Sequence, residues 1–328
     1  MIIIPGSYKG ELPALSDEQK ELASRLSEHV HVLASEIGPR SLTRAPANLI
    51  TAGAYVEHVF KKYGYSPERE EFSVEWADEE NSELTSEGVA IVHTHSNVFN
   101  VVAELEGKKK SKGIVIVGAH YDSDYGCPAA NDNGSGVAAM LEIARSLQEE
   151  ELERTVRFVA FTNEEWPFFL TDAMGSLQHA QACKERKEKI EGMICLETIG
   201  YFTDEPDTQK YPLPLFGFLL PSTGNFISFI ANLQSISLLR RSIKSFRENV
   251  DFPSEGCALP QEIRGVEFSD HRNFWKFGYP AIMVTDTAFF RYPHYHTEED
   301  TPDKIDYDKL ALVVSGLTGM VRDLCMKT

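Results

Sequence analysis

The chain has 328 residues, of which 42% are hydrophobic, so it is long enough to bury a substantial core. Its formal net charge of −18 at pH 7 argues against nucleic acid or an anionic membrane surface as a partner. The five cysteines are scattered and include no CxxC pair, which indicates neither a disulfide framework nor a thiolate zinc site.

Taken in chain order, the spacing of apolar residues predicts an alternation of helices and buried strands. The predicted helices lie within residues 17–37, 49–62, 137–147, 171–189, 228–233 and 307–324. The predicted strands lie within residues 96–107, 115–119, 155–169, 192–202, 237–246 and 280–287. The sequence has no internal repeat and is long enough for one large domain or two small ones; we predict a single domain over residues 1–328. It carries a surface excursion at 70–95 and loop insertions at 202–217 and 247–267.

Two segments have alternative interpretations. The loop after the first helix carries Arg40 and Arg44, which we expect to be solvated rather than to face a substrate. The uncharged run at 211–239 has the length of a membrane span, but prolines and the turn at 222–225 interrupt it, which argues against a spanning helix. No basic segment followed by an apolar one begins the sequence, so no signal peptide is predicted, and the compartment is left open.

Ionisable residues recur where the predicted strands end. The strand at 115–119 runs directly into His120, and Asp132 follows twelve residues later, just before a helix. Further acids and a histidine stand at or after the ends of later strands, namely Glu164, Glu165, Glu197 and His296. Each residue alone is equally typical of a helix cap or a turn. Their recurrence at successive strand ends of an α/β sheet indicates a site.

Charged groups at buried strand ends are costly unless something neutralises them. A pair of divalent cations would do so, and two imidazoles with three carboxylates suit zinc best. The adjacent acids Glu164 and Glu165 also match what hydrolysis requires, since one carboxylate can bind a metal while its neighbour handles protons. The residues therefore predict a two-metal hydrolytic centre.

Five segments carry a family resemblance, and their order along the chain is more specific than any one of them. They are HYDSDYGCPAANDNGSG, FTNEEWPFF, LETIGY, SDHRNFW and YPHYHTEEDT. Together they resemble the co-catalytic zinc aminopeptidases, which include bacterial leucyl aminopeptidases and aminopeptidase Y; glutamate carboxypeptidase II and the glutaminyl cyclases are more distant relatives. The resemblance covers roughly residues 20–325. It implies an α/β/α sandwich with a mixed, mostly parallel eight-stranded sheet.

The resemblance also implies a ligand set for two zinc ions. His120 and Glu165 would hold one zinc. Glu197 and His296 would hold the other, and Asp132 would bridge the two. Many family members carry Asp where Glu197 stands, so the longer side chain is expected to shift or weaken the second zinc. A single bound zinc is therefore the alternative to two.

Further residues would act around these metals. Glu164 would be the general base, and Asp122 would orient the imidazole of the first ligand. Asp270 and His271, within SDHRNFW, would lie in the pocket or support the ligands from behind. Tyr295, next to a ligand histidine, is either a hydrogen-bond donor to the oxyanion or a packed loop aromatic.

The implied activity is hydrolysis of the peptide bond after a free amino-terminal residue, by water held between the zincs. The preferred residue is expected to be apolar. Aromatic residues within 216–229 and at Phe289 and Phe290 are candidates for its side-chain pocket, although core packing is the stronger explanation for each one alone. The expected partner is a peptide with a free amino terminus, and the oligomeric state is left open.

Two other functions fit the same fold. A glutaminyl cyclase would close an amino-terminal glutamine with one zinc on Asp132, Glu165 and His296. Against it, the NDNGSG and LETIGY segments look more like the peptidases, and cyclase relatives usually carry Trp where Tyr295 stands. A non-catalytic binding module would have lost its ligands, whereas every ligand position here is filled. These residues do not distinguish amino-, carboxy- and dipeptidase activity, or zinc from manganese and cobalt.

Overall fold

A nine-stranded mixed sheet forms the centre of the computed structural model, which describes residues 1–85 and 88–326. Its strands are β1 (Ile2–Ile4), β2 (Glu68–Thr85), β3 (Gly88–Leu105), β4 (Ile114–His120), β5 (Thr155–Phe161), β6 (Ile190–Leu196), β7 (Ile227–Asn232), β8 (Ser254–Leu259) and β9 (Ala281–Thr285). They are ordered β1-β8-β7-β9-β6-β4-β5-β3-β2 across the sheet.

Most strands of this sheet point in one direction. The neighbours β9, β6, β4 and β5 run parallel. β7 and β8 are parallel to each other and antiparallel to β9, and β3 is antiparallel to β5. The edge strands β1 and β2 are antiparallel to β8 and β3, so six of the nine strands share the direction of β4. The predicted mixed, mostly parallel sheet is confirmed, with nine strands in the described residues instead of eight.

Helices cover both faces of the sheet. The described α-helices are α1 (Asp17–His31), α2 (Pro46–Lys62), α3 (Gly136–Leu147), α4 (Gly175–Glu185), α5 (Phe216–Leu219), α6 (Ile236–Asn249), α7 (His271–Lys276) and α8 (Tyr307–Met326). Successive side chains of a strand point to opposite faces. In β4, Val115 and Val117 belong to a core with α1, α3 and α8, whereas Ile116 belongs to a core with α4 and α7. The predicted α/β/α sandwich is confirmed.

Two predicted elements have the wrong type, because the predicted helix is a strand and the predicted strand is a helix. Residues 228–233, predicted as a helix, lie mostly in β7, and residues 237–246, predicted as a strand, lie in α6. β7 is largely buried on both faces and therefore lacks the alternation of polar and apolar residues that marks a half-exposed strand. In α6, buried Leu239 and Ile243 recur at helical spacing. The predicted loop at 247–267 also contains β8.

The remaining predicted helices and strands are confirmed. The first helix begins after a capping box, in which Ser16 Oγ accepts a hydrogen bond from the Gln19 backbone N–H at 3.2 Å. It continues beyond α1 as a π-helical turn to Ile37. The predicted excursion at 70–95 forms part of the antiparallel pair β2–β3, and its residues 86–87 lie outside the described residues. Among the described helices, none combines the length and the apolar character needed to span a bilayer.

One buried carboxylate joins α1 and α3 to Tyr63, the residue after α2, on the α1–α3 face of the sheet. Glu142 of α3 is fully buried and accepts hydrogen bonds from Arg25 Nε at 2.8 Å, Arg145 Nε at 2.8 Å and Tyr63 Oη at 2.9 Å. His29 Nε2 of α1 lies 3.3 Å from the same carboxylate. Burial alone would raise the pKa of Glu142, but the bonds from His29, Arg145 and Arg25 lower it to about 2. The ionised form therefore stabilises the fold.

Glu142→Gln is expected to lower the free energy of unfolding by roughly 3 kcal/mol at pH 7, because the pKa falls from 4.5 to about 2 on folding. The folded pKa is the lower one, so this stabilisation is complete above about pH 4.5 and is lost as the pH falls toward 2. Urea unfolding at pH 7 and pH 4 measures both effects. The exposed Glu149→Gln serves as the control. Equal stability of Glu142→Gln and the control at pH 7 would contradict the assignment.

Candidate metal centre

The predicted site residues meet at one edge of the sheet. His120 ends β4, Glu164 and Glu165 follow β5, and Glu197 follows β6 directly. These strands are parallel neighbours, so their carboxyl ends lie side by side. Asp132 comes from the turn that enters α3. His296 comes from the loop after β9 and is the most exposed of the set, with 32% of its side chain accessible.

Asp132 lies between the two histidines. Its Oδ1 is 3.2 Å from His120 Nε2, and its Oδ2 is 3.0 Å from His296 Nε2. A second carboxylate faces each imidazole. Glu197 Oε2 lies 3.4 Å from His120 Nε2, and Glu165 Oε2 lies 3.2 Å from His296 Nε2. The structure therefore brings together all five residues predicted as ligands.

The direct contacts join these residues in a different pairing from the predicted one. His120 was expected to share a metal with Glu165, but its Nε2 contacts Glu197, while Glu165 contacts His296. β4 lies between β5 and β6, so the strand ends bring both acids near His120, and the side-chain contacts distinguish them. Ligand atoms of His120, Asp132 and Glu165 nonetheless lie within 4.8 Å of one another, so the two halves form one compact cluster.

Six buried side-chain atoms of this cluster have no hydrogen-bond partner within the described part of the chain. They are His120 Nδ1 and Nε2, both carboxylate oxygens of Asp132, Glu165 Oε1 and His296 Nε2. The contacts between the histidines and the carboxylates are therefore short, but they do not have the geometry of hydrogen bonds. Imidazole nitrogens and carboxylate oxygens that converge in this way are the donor set of zinc and similar divalent cations. The residues present fit a two-metal centre.

The electrostatics of the cluster lead to the same conclusion. Burial raises the pKa of Glu164 well above its ordinary value, and burial with the neighbouring charge of Asp132 raises the pKa of Glu165 to about 7. Burial alone would lower the pKa of both histidines. Instead the facing carboxylates raise the pKa of His296 to about 12 and that of His120 well above its usual range. These shifts reflect an excess of negative charge, which bound cations would offset.

Two acids of the HYDSD segment stand behind the two histidines. Asp122, predicted to orient His120, lies 3.4 Å from its Nδ1 and accepts the backbone N–H groups of Glu164 and Glu165 at 3.1 and 3.0 Å. Asp124, which sequence reasoning missed, places Oδ2 3.4 Å from the Nδ1 atom of the second histidine. The sequence feature that could have indicated Asp124 is the recurrence of Asp at positions 122 and 124, shortly after His120. Each imidazole thus has a carboxylate on its far side.

Other residues missed in the sequence hold the acidic ligands in place. Asp300 accepts the backbone N–H of Asp132 at 3.0 Å. The hydroxyls of Thr198 and Ser269 donate to the two carboxylate oxygens of Glu197, at 2.8 and 2.6 Å. These residues were missed because backbone and hydroxyl contacts leave no spacing pattern in the sequence.

The SDHRNFW segment lies behind the metal ligands. Its Ser269 contacts Glu197 directly. The neighbouring Asp270 is fully buried, and burial raises its pKa to about 7. His271 is also buried, and its Nε2 lies 2.8 Å from the carbonyl oxygen of Val266. This hydrogen bond joins His271 to the backbone of Val266, which lines the apolar pocket, and among the described contacts His271 does not touch the five predicted ligands.

An apolar pocket opens beside the cluster. It is lined by Glu197 and Tyr295 at the metal end and by aromatic residues elsewhere, among them Phe216, Phe226, Phe289 and Phe290. The predicted aromatic wall is therefore present, although Phe229 instead packs in the opposite core. The ring of Tyr295 stacks on His296, with centroids 3.9 Å apart. This tyrosine contributes to both the metal cleft and the apolar pocket.

The layered sheet and the cluster at its edge define an α/β/α protein with a candidate two-metal centre. Residues 100–318 match Peptidase family M28, and the chain belongs to that family. It is 35% identical to the uncharacterized protein YfbL of Escherichia coli K12, over 97% of this chain and 92% of that protein. It is 26% identical to leucine aminopeptidase 1 of Arthroderma otae, over 69% of this chain and 57% of that protein.

Solved structures share the architecture. BSAP, a zinc aminopeptidase from Bacillus subtilis, superimposes with a TM-score of 0.69 at 17% identity, over 97% of each chain. The glutaminyl cyclase of Fimbriiglobus ruber superimposes with a TM-score of 0.66 at 20% identity, over 97% of this chain and 99% of that one. At these identities the likeness establishes the fold alone.

Arg40 is buried next to the loop that carries the predicted ligands, so the prediction that it is solvated is wrong. Arg40 is fully buried, and its guanidinium donates only to backbone carbonyls in the contacts described. These belong to Leu33 at 3.3 Å, Gly38 at 3.2 Å, Tyr121 at 2.7 Å, Pro128 at 2.7 Å and Ala129 at 2.9 Å. Arg40 thus joins the end of the first helix to both ends of the loop between His120 and Asp132. The loop position of Arg40 concealed this role.

Arg40→Met is expected to lower the free energy of unfolding by at least about 3 kcal/mol, because several buried carbonyls lose their donor together. Arg44→Met is the matched control, since Arg44 lies in the same loop and is exposed; it should change stability by less than about 0.5 kcal/mol. Urea unfolding monitored by tryptophan fluorescence measures both variants. If Arg40→Met unfolds at the same urea concentration as Arg44→Met, the carbonyl contacts do not stabilise the loop.

Proposed function

We propose that the protein is a zinc-dependent aminopeptidase, which hydrolyses the peptide bond after a free amino-terminal residue. The observation that carries this proposal is Asp132, whose two carboxylate oxygens each face a different histidine. Membership of Peptidase family M28 and the names of the relatives and structural neighbours, which include leucine aminopeptidases and a zinc aminopeptidase, support it.

The contacts favour one division of the ligands between two zinc ions. His120 and Glu197 would hold the first ion, and His296 and Glu165 the second. Asp132 would bridge them, because it contacts both imidazoles. The hydroxyls that bind both oxygens of Glu197 orient its longer side chain, so we expect two ions rather than one.

When bound, the cations would supply Lewis-acid polarisation of the scissile carbonyl and a more acidic water. Glu164 would accept the proton of that water and later donate it to the leaving amine. It suits this role because it lines the cleft beside the cluster without contacting either histidine among the described ion pairs, and Asp122 fixes its backbone. Tyr295, stacked on His296 at the cleft wall, would donate a hydrogen bond to the developing oxyanion.

The apolar pocket would receive the side chain of the amino-terminal residue, since it begins at Glu197 and Tyr295 and continues away from the cluster. A glutaminyl cyclase is the second candidate, because the Fimbriiglobus ruber cyclase shares the fold. It would need one zinc on Asp132, Glu165 and His296. The contact between Glu197 and His120 favours a second ion and hence the peptidase.

The adjacent acids provide a sharp test of the proposed roles. Glu164→Gln should lower kcat on leucyl-p-nitroanilide by at least about 100-fold while the zinc content stays at two per chain, because it removes only the proton acceptor. Glu165→Gln should lose zinc, because it removes a ligand. Elemental analysis and initial rates measure both. Substantial turnover by Glu164→Gln would reject the base assignment, and one tightly bound zinc with cyclisation of glutaminyl peptides would favour the cyclase.

Asp124→Asn is expected to weaken zinc binding about 10- to 100-fold at the His296 site, because the imidazole loses the carboxylate facing its Nδ1. Competition with a chromogenic chelator measures the dissociation constant without relying on activity. The exposed Asp172→Asn should leave zinc affinity unchanged and is the control. Equal zinc affinity of the two variants would show that Asp124 does not orient the ligand.

A further inference from the structure

A second acid lies in line with the metal ligand Glu197, across the floor of the apolar pocket. Glu197 sits beside Thr285, because its backbone N–H bonds to the carbonyl of Val284 on β9. Thr285 pairs with Ser228 on β7, and Ser228 pairs with Glu255 on β8. Neighbouring strands are about 4.8 Å apart, so the backbones of Glu197 and Glu255 are roughly 14 Å apart. All of these residues except Val284 line the pocket.

The side chain of Glu255 lies on the pocket side of the sheet. Glu255, Cys257 and Leu259 alternate along β8 and all line the pocket. The intervening Gly256 faces the opposite layer, where an added Cβ would lie 2.8 Å from Ile243 of α6. The pocket therefore has a metal centre at one end of its floor and a carboxylate at the other.

Within the described part of the chain, no basic side chain forms an ion pair with the Glu255 carboxylate, and burial raises its pKa above the usual range. Ser7 donates a hydrogen bond to it, whereas Arg247 and Lys9 act only at longer range. The guanidinium of Arg247 is already bonded to Pro5 and Ser254. A half-buried carboxylate among apolar walls has a strong preference for a counter-charge.

The basic residues at this pocket lie at its rim. Lys210 and Arg264 contribute to the lining, but both are exposed. The ammonium of Lys210 donates to the carbonyl oxygen of Asp207 at 2.7 Å, and the guanidinium of Arg264 lies over the ring of Phe289. The charged side chains on the pocket floor are therefore the acids Glu197 and Glu255. The buried Arg291 lies behind the wall, bonded to Gln209 and to the carbonyl oxygen of Phe226.

We propose that Glu255 is a specificity-determining residue, which selects peptides whose amino-terminal residue has a long side chain ending in a cation, lysine or arginine. This inference rests on the proposed aminopeptidase function. The methylene stem of such a side chain would lie along the apolar walls while its cationic end pairs with Glu255. Leucine and methionine would fill the walls but leave the carboxylate unpaired.

The test compares lysyl- and norleucyl-p-nitroanilide, whose side chains differ chiefly by the terminal ammonium. We expect the zinc-loaded wild-type enzyme to hydrolyse the lysyl substrate with kcat/KM at least about tenfold above that of the norleucyl one. Glu255→Gln should lower the lysyl value by about tenfold or more and leave the norleucyl value within about twofold. The exposed Glu262→Gln should change neither value and is the control.

If the enzyme hydrolyses norleucyl or leucyl substrates but Glu255→Gln leaves the ratio of lysyl to norleucyl kcat/KM unchanged, the inference is overturned. The proposed function would then still stand. Absence of hydrolysis of every aminoacyl substrate would overturn the proposed function. Calorimetric binding of free L-lysine and L-norleucine to the zinc-loaded protein then still tests the pocket. A preference for lysine that disappears in Glu255→Gln supports the role of Glu255, and equal binding of the two amino acids rejects it.

Discussion

The candidate site depends on holding several carboxylates together at one buried edge of a sheet. Asp132 is central, because its two oxygens face different imidazoles while Asp300 accepts its backbone N–H. Such a concentration of negative charge in a low-dielectric setting is unfavourable unless cations share it. Metal binding would therefore stabilise this edge of the fold, since bound ions would offset the repulsion between the carboxylates.

Residues behind the predicted ligands hold this cluster of carboxylates and histidines in place. The loop between His120 and Asp132 is attached from below by the buried guanidinium of Arg40, which satisfies carbonyls at both ends of the loop. The same loop supplies Asp122 and Asp124, one behind each histidine. One short segment thus positions both halves of the centre. Distant helices contribute through Glu142, which fixes α3 and with it the turn that carries the central aspartate.

Much of this could be predicted from the sequence, because buried parallel strands that end in acids or histidines leave a clear local pattern. The order of the central elements and the gathering of histidines and acids at one sheet edge follow from it, whereas the sandwich architecture and the ligand set are implied by the family resemblance. The exchange of β7 and α6 shows the limit, since a strand buried on both faces has no alternation to detect. The side-chain contacts that pair the predicted ligands and the burial of Arg40 depend on tertiary packing, which no local spacing encodes.

Metal binding and recognition of the substrate side chain would be carried out by different halves of the sheet. Four of the five predicted ligands, His120, Asp132, Glu165 and Glu197, come after β4, β5 or β6. The pocket floor is built from β7, β8 and β9. Glu197 and Tyr295 border both the metal cleft and the apolar pocket, as do Arg264, Phe268 and Phe289. Residues on β7 and β8 are therefore free to diverge between paralogues without disturbing the hydrolytic machinery. A fold with this division can acquire new substrate preferences through a few exchanges on one sheet face, which is a route to functional diversification.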